Sequence, residues 1–383
     1  MLLIKINMLE KFSIWFLIVS LILGHIPNIL LSRYFGVQFS FYLYDIIIFF
    51  IFVQSLFLFK YRNYFVDVLL LLFFLVNLIF LFFNFKFLLG LSSVLYLFRI
   101  MVFLGSYPFF CKCYKLFNFR LFSFILVPLH LLIFIKFPNL YLAGYDPHRG
   151  RLYGPFFDPN FYSIFLVIIF IFLTKNKEFI LKKKINSYHL ILILIVMSIF
   201  LTYSRAGLLL FMIVLLIYLL KYRIYLLIPF MLGFSFIIAS SSYLFRFLLV
   251  EGSFDSFFFR VLSYFDGIVI FNTNIFPVGF NNIKLYKYFL TSNINHATSY
   301  TDSFILNLIL TGGIFNVLLF FVLFVFLLDQ LKKLKAGYLA LVLFIIVFSS
   351  FVLNTFFHPY FLIITAFLIG FCAKGLKGVR VTD

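Results

Sequence analysis

LTYSRAGLLLF, residues 201–211, breaks an apolar run only from Thr202 to Arg205 before the apolar sequence resumes at Ala206. So short a polar break between two hydrophobic runs reads as the turn between antiparallel membrane helices, because inside lipid the backbone must satisfy its own hydrogen bonds. Upstream, GPFFDPNFYSIF (154–165) has the same shape, a polar start followed by an apolar continuation. Both stretches hold charged or amide groups at the edge of apolar sequence, where charge is costly unless something binds it.

The rest of the chain agrees. Of 383 residues 65% are hydrophobic, 23% aromatic and only 11% charged, with a mean hydropathy of +1.17. That excludes an ordinary soluble domain and leaves a polytopic, all-α integral membrane protein. Apolar runs lie near 12–31, 41–59, 64–84, 88–110, 121–137, 159–174, 188–202, 206–220, 224–243, 303–328, 337–355 and 359–373, about twelve transmembrane helices in a single domain spanning 1–383. The basic start and the first run lack a small-residue cleavage site, so the first run reads as a retained span. The net charge of +19 is not a nucleic-acid signature here. Most of the Lys and Arg fall in one set of alternate breaks, such as KNKEFILKKK and DQLKKLKAG, which places both termini in the cytoplasm.

The opposite face carries fewer charges, more Arg than Lys, and the two longest breaks, 137–160 and 244–302. Long loops on one side are where function concentrates. The first contains Asp146, His148, Arg149, Arg151, Asp158 and Asn160. Asp158 before Pro159 suits a helix N-cap, or alternatively a carboxylate facing a reacting hydroxyl, while Arg149 and Arg151 suit phosphate because a guanidinium binds oxygens in pairs. Arg205, after Tyr203 and Ser204, stands at a helix start, an unfavourable place for a cation unless an anion lies between it and the helix dipole; the alternative is simple snorkelling to headgroups. In 244–302, residues near 256–271 have the spacing of a surface amphipathic helix carrying Arg260. PVGFNN (277–282) makes a turn at Gly279, and His296 and Asp302 are candidate bases or, respectively, a solvated loop histidine and a cap. Arg99 and Lys136 fall within apolar runs and are expected to line the interior. His25 and His130 read as core or interfacial residues, and His358 in NTFFHPY is a lone outer-face histidine. The sequence holds no HExxH, DxD, P-loop or CxxC, so no metal and no cofactor is expected.

The order of GPFFDPNFYS, LTYSRAGLLLF, the Arg260 segment with PVGFNN, and TDSFILNLILTGGIF resembles the O-antigen polymerase and O-antigen ligase superfamily, the Wzy-type bacterial membrane glycosyltransferases. The resemblance covers roughly 145–330. It implies a GT-C-like fold in the inner membrane, a periplasmic active site, and a partner in undecaprenyl-pyrophosphate-linked repeat units, with membrane lipids and a chain-length regulator as further partners. It assigns Arg205 and Arg260 to the pyrophosphate; the residues themselves add Arg149 and Arg151 as further donors, with Tyr203, Asn160 and Gly279 in support. It places the catalytic or acceptor-orienting group at 296–302; across the chain the candidates for the base are, in order, Asp302, His296 and Asp158. Ligases of the superfamily show a His eleven residues before a glycine; here Thr301 stands eleven before Gly312 and the nearest His is His296. That favours a polymerase over a ligase. A lipid-linked oligosaccharide flippase would need charge through the membrane midplane, where only Arg99 and Lys136 qualify.

Overall fold

The computed structural model describes residues 7–35, 42–84, 87–137, 151–156, 158–175, 187–222, 253–274, 276–279, 283, 303–351 and 353–375. Every regular element among them is helical. Fourteen α-helices are described: α1 Met8–Leu23, α2 Ile26–Phe35, α3 Leu43–Leu56, α4 Tyr64–Phe83, α5 Phe87–Gly105, α6 Tyr107–Cys113 and α7 Phe119–Lys136, then α8 Pro159–Thr174, α9 Ser187–Leu201, α10 Arg205–Tyr222, α11 Ser253–Thr273, α12 Phe304–Lys333, α13 Gly337–Ser350 and α14 Pro359–Gly375. Tyr64–Phe83, Ser93–Cys113, Phe119–Lys136 and Phe304–Lys333 are long and apolar enough to cross a membrane. Other apolar helices, α8 and α14 among them, are shorter. The chain is an all-α membrane protein.

Local chemistry sets several helix starts. Asp158 is extended (φ −137°, ψ 119°), and its Oδ1 accepts the amides of Asn160 at 2.7 Å and Phe161 at 3.2 Å, with Pro159 at the first helical position. Ser303 caps α12 by accepting the Leu306 amide at 3.4 Å. The expected first span, 12–31, is instead two helices. Gly24 turns the chain at φ 55°, and the His25 amide donates to the Pro155 carbonyl at 3.0 Å, which pins that turn to the segment before α8. The expected span 88–110 bends at Ser106 into α5 and α6. The expected amphipathic helix near 256–271 is α11. The run 224–243 lies outside the described residues.

α14 and α8 form the centre of the bundle. Pro359 through Lys374 are all buried, as is nearly every residue of α8. α14 packs on α5, α6, α12 and α13, whereas α8 packs on α7, α9, α10 and α13. The α8–α10 approach depends on Gly207: a Cβ there would lie 2.0 Å from Ser163 Oγ. Small residues let helix backbones approach in lipid, where packing rather than water drives association.

α12 is broken at Gly312 and Gly313, the latter at φ 65°, ψ −158°, a conformation open essentially to glycine alone. The break frees the Leu310 carbonyl, which accepts the Val278 amide at 2.8 Å. Asn84 Nδ2 donates to the Pro277 carbonyl at 2.8 Å, so the short 276–279 stretch is stitched to α12 on one side and to the end of α4 on the other. Ile270, Val278, Ile283 and Leu310 make a small apolar cluster separate from the main core. Just below, Asn77 of α4 and Asn316 of α12 exchange amide hydrogen bonds at 2.9 and 2.8 Å. Interhelical bonds of this kind in membranes contribute about 0.6 kcal/mol each.

Candidate functional site

The ends of α1, α9 and α13 and the starts of α3, α8, α10, α12 and α14 meet at one end of the bundle. Three contacts define its rim. The Leu152 amide donates to the Leu201 carbonyl at 3.0 Å, so Arg151 and its neighbours lie along the end of α9. Ser204 Oγ donates to Asn160 Oδ1 at 2.9 Å and accepts the Gly207 amide at 3.2 Å, joining the start of α10 to the start of α8. Tyr203, between them, adopts φ 49°, a left-handed conformation that is uncommon for a bulky residue and that clusters at functional sites. Arg205 is exposed at the first position of α10, and Arg151 is half-buried. The rim thus sets guanidinium groups, which suit anions, beside two helix starts whose first amides are capped by Asp158 and Ser204.

The connector between α13 and α14 is the hub of this end. Its Phe356 and Phe357 pack on Phe304 at the start of α12, with ring centroids 4.8 and 5.2 Å away. His358 stacks on Phe161 at 4.5 Å and meets Phe156 at 5.1 Å. Tyr264 of α11, one helical turn beyond Arg260, donates its hydroxyl to the Phe351 carbonyl at 3.0 Å. α11, which bears Arg260, and α8, which starts at the Asp158–Asn160 pair, therefore both reach this connector. Burial, followed by the fields of His25 and Arg99, holds the His358 imidazole well below the ordinary histidine range, so it is neutral at physiological pH.

Beneath the rim lies a polar cluster. Arg99 of α5 grips Asp45 of α3 with Nε–Oδ1 at 2.7 Å and Nη2–Oδ2 at 2.9 Å. Its guanidinium lies over the rings of Tyr42, Tyr96 and Phe103. His25 stacks on Tyr42 at 4.1 Å and shares a 3.2 Å hydrogen bond with the Tyr44 hydroxyl. Tyr44 meets Tyr360 edge-on at 5.4 Å, and Tyr360 donates to the Leu21 carbonyl at 2.8 Å.

The expected residues fall into three groups. Arg151, Asp158, Asn160, Tyr203 and Arg205 are brought together at the rim. Arg260 lies on α11, and Gly279, buried at φ 81°, lies in the stretch stitched to α12. Arg149, His296 and Asp302 lie outside the described residues. Asp158 serves as the cap of α8, the structural alternative weighed for it above. Lys136 is exposed at the last turn of α7 and does not line the interior, because the helix ends there and lets the ammonium reach the surface. His130 is buried, as expected, with Nε2 2.9 Å from the Ile22 carbonyl. Sequence reasoning missed Asp45, Tyr42, Tyr44 and Tyr360. The available signal was Asp45 itself, an acid in an apolar run that calls for a partner such as Arg99. Among the described residues no cluster of His, Cys, Asp or Glu is arranged to hold a metal. Comparison of the chain with protein-family models, with curated proteins and with solved structures returns no match.

Proposed function

We propose that this protein is a membrane glycosyltransferase of the O-antigen polymerase type. It spans the bacterial inner membrane about twelve times with both termini cytoplasmic, and transfers a growing undecaprenyl-pyrophosphate-linked saccharide onto a new lipid-linked repeat unit. One observation carries this reading: the Ser204–Asn160 hydrogen bond joins two helix starts and holds Arg205 exposed beside them. A pyrophosphate headgroup needs a charge-assisted fork at the edge of lipid, and the Arg205 guanidinium supplies it.

In the reaction, a hydroxyl of the acceptor sugar attacks the anomeric carbon of the donor while the bond to the lipid pyrophosphate breaks. Negative charge grows on the leaving phosphate. A preorganised donor that meets such charge contributes about 2.7–4 kcal/mol, and Arg205 is the donor assigned here, with Arg151 at the same rim and Arg149 and Arg260 as the further expected donors. The polyprenyl chain stays in the bilayer beside the bundle, which accounts for a site at helix ends.

The test is elongation of purified undecaprenyl-pyrophosphate-linked repeat units by the purified protein in lipid nanodiscs. Wild-type protein is expected to build a ladder of products without added metal. Transfer to lipid A-core instead of elongation would identify a ligase, and movement of the intact lipid across the bilayer without a new glycosidic bond would identify a flippase.

A further inference from the structure

Lys374, in the last turn of α14, is a cation that the bundle buries without an anion. Only 6% of the residue is exposed. Its Nζ stands 3.8 Å from the centroid of the Tyr114 ring, and among the described residues it has no carboxylate and no hydrogen-bond acceptor. A ring face attracts an ammonium but leaves its three N–H donors without oxygen partners. Asn354 Oδ1 and His358 Nδ1, on the α13–α14 connector, are also unpaired, but they are sealed from water. Lys374 Nζ is not sealed, so a partner from outside can reach it. A buried charge is costly unless something pairs with it, and the partner that pairs with an ammonium is an anion.

The surroundings narrow the anion. α14 starts at the rim with Pro359, so Lys374 lies about 22 Å away, at the opposite end of the bundle. A Cβ on Gly370 would lie 2.7 Å from the Cys111 amide nitrogen, which shows how closely α6, with Tyr114 just beyond it, follows α14. On another side, a Cβ on Gly375 would lie 2.4 Å from Leu334, the residue that ends α12. Lys335 comes next, exposed and at φ 54°. Two cations of this end already have acids, Lys112 with Glu10 and Lys333 with Asp329, each at 2.5 Å. Lys332, Lys335 and Lys374 have none among the described residues. On α12, Phe321, Val325 and Lys332 share one helical face and are all exposed. An apolar stripe that ends in a cation matches a molecule with hydrocarbon chains and an anionic head. Basic pockets between membrane helices bind such heads.

We infer that the ends of α6, α12 and α14 form a binding site for an anionic phospholipid. Its phosphodiester oxygens take the N–H donors of Lys374, Lys335 and Lys332 stand at the edge of the headgroup, and the acyl chains lie along the exposed face of α12. With the topology proposed above, this is the cytoplasmic leaflet, and the site needs no particular reaction at the rim. The occupant ties together the ends of three helices, one of which, α14, runs through the centre of the bundle to the rim.

The experiment titrates the full chain in detergent with phosphatidylglycerol, phosphatidylcholine or inorganic phosphate and counts bound molecules by native mass spectrometry. Wild-type protein is expected to bind phosphatidylglycerol about tenfold more tightly than phosphatidylcholine. Lys374→Gln, which keeps a hydrogen-bonding head but removes the charge, should lower phosphatidylglycerol affinity about tenfold and leave phosphatidylcholine unchanged. Lys335→Gln lies on the surface, where the fold does not depend on it, and should lower the affinity about fivefold. It decides the matter if Lys374→Gln does not fold. Lys374→Arg should retain most of the binding. Equal binding of the two lipids by wild-type protein would overturn the site, as would wild-type phosphatidylglycerol affinity in either glutamine variant. Displacement of phosphatidylglycerol by inorganic phosphate at equal concentration would replace the lipid by a free anion and overturn it as well.

Discussion

Two polar regions stand one above the other in this bundle, and they differ in how completely their groups are paired. In the lower one, Arg99 and Asp45 make two hydrogen bonds to each other, three aromatic rings flank the guanidinium, and the Tyr44 and Tyr360 hydroxyls both have partners. In the upper one, Arg205 is exposed, while Asn354 and His358 hold buried atoms with nothing described opposite them. Buried polar networks with every group satisfied rigidify a fold, while a buried polar atom without a partner calls for an explanation of its own. On this reading the lower cluster is a clasp between α3 and α5, and the upper one is the working surface.

The contrast is tested most severely at Arg99. Arg99→Ala leaves the Asp45 carboxylate buried and unpaired, and is expected to cost about 3–5 kcal/mol, seen as loss of monodisperse protein and a lower Tm in detergent. Replacing both partners by apolar residues, Arg99→Met with Asp45→Leu, should restore most of that stability. A folded but inactive Arg99→Ala protein would move the lower cluster from clasp to site. At the rim the expectation reverses. Arg205→Ala should leave Tm unchanged and reduce transfer about 10²-fold, equivalent to about 2.7 kcal/mol of barrier. A fall in Tm matching the fall in rate would erase the distinction between the two regions.

Gly207 sharpens the comparison, because it belongs to the rim but acts through packing. Gly207→Ala brings a Cβ against Ser163 and should destabilise by about 1–3 kcal/mol, with recovery when Ser163→Gly is added. The smallest effect is expected at Asp158. Asp158→Ala removes a cap worth about 1 kcal/mol and should lower Tm slightly while transfer persists; full loss of transfer with an unchanged Tm would return Asp158 to the role of base.

Much of the architecture was legible because it follows from local chemistry. The helix starts at Pro159, Arg205 and Phe304 follow from Asp158, Ser204 and Ser303, each of which can satisfy amides within its own first turn. The shift at 12–31 was not legible from hydropathy, because the turn at Gly24 is set by Pro155, far away in the chain. Of the rim, the Asp158–Asn160 and Tyr203–Arg205 stretches were recognisable as polar edges of apolar runs. His358 was visible only as an isolated histidine, because its setting is made by Phe156 and Phe161 from another part of the chain.

What the amino-acid sequence determined by itself is the solvent and the class of structure. So apolar a chain belongs in lipid, and in lipid a backbone that pairs with itself makes helices. What only the tertiary structure decided is the environment of each helix and the partner of each polar group. α4 and α14 are both runs of Phe, Leu and Ile, yet α14 is buried nearly throughout and α4 leaves much of its surface open to lipid. Hydropathy cannot separate them, since lipid and protein interior are equally apolar. Asp45 and Arg99 are 54 residues apart, and Asn77 and Asn316 are 239 apart; such partners are chosen by how the helices pack.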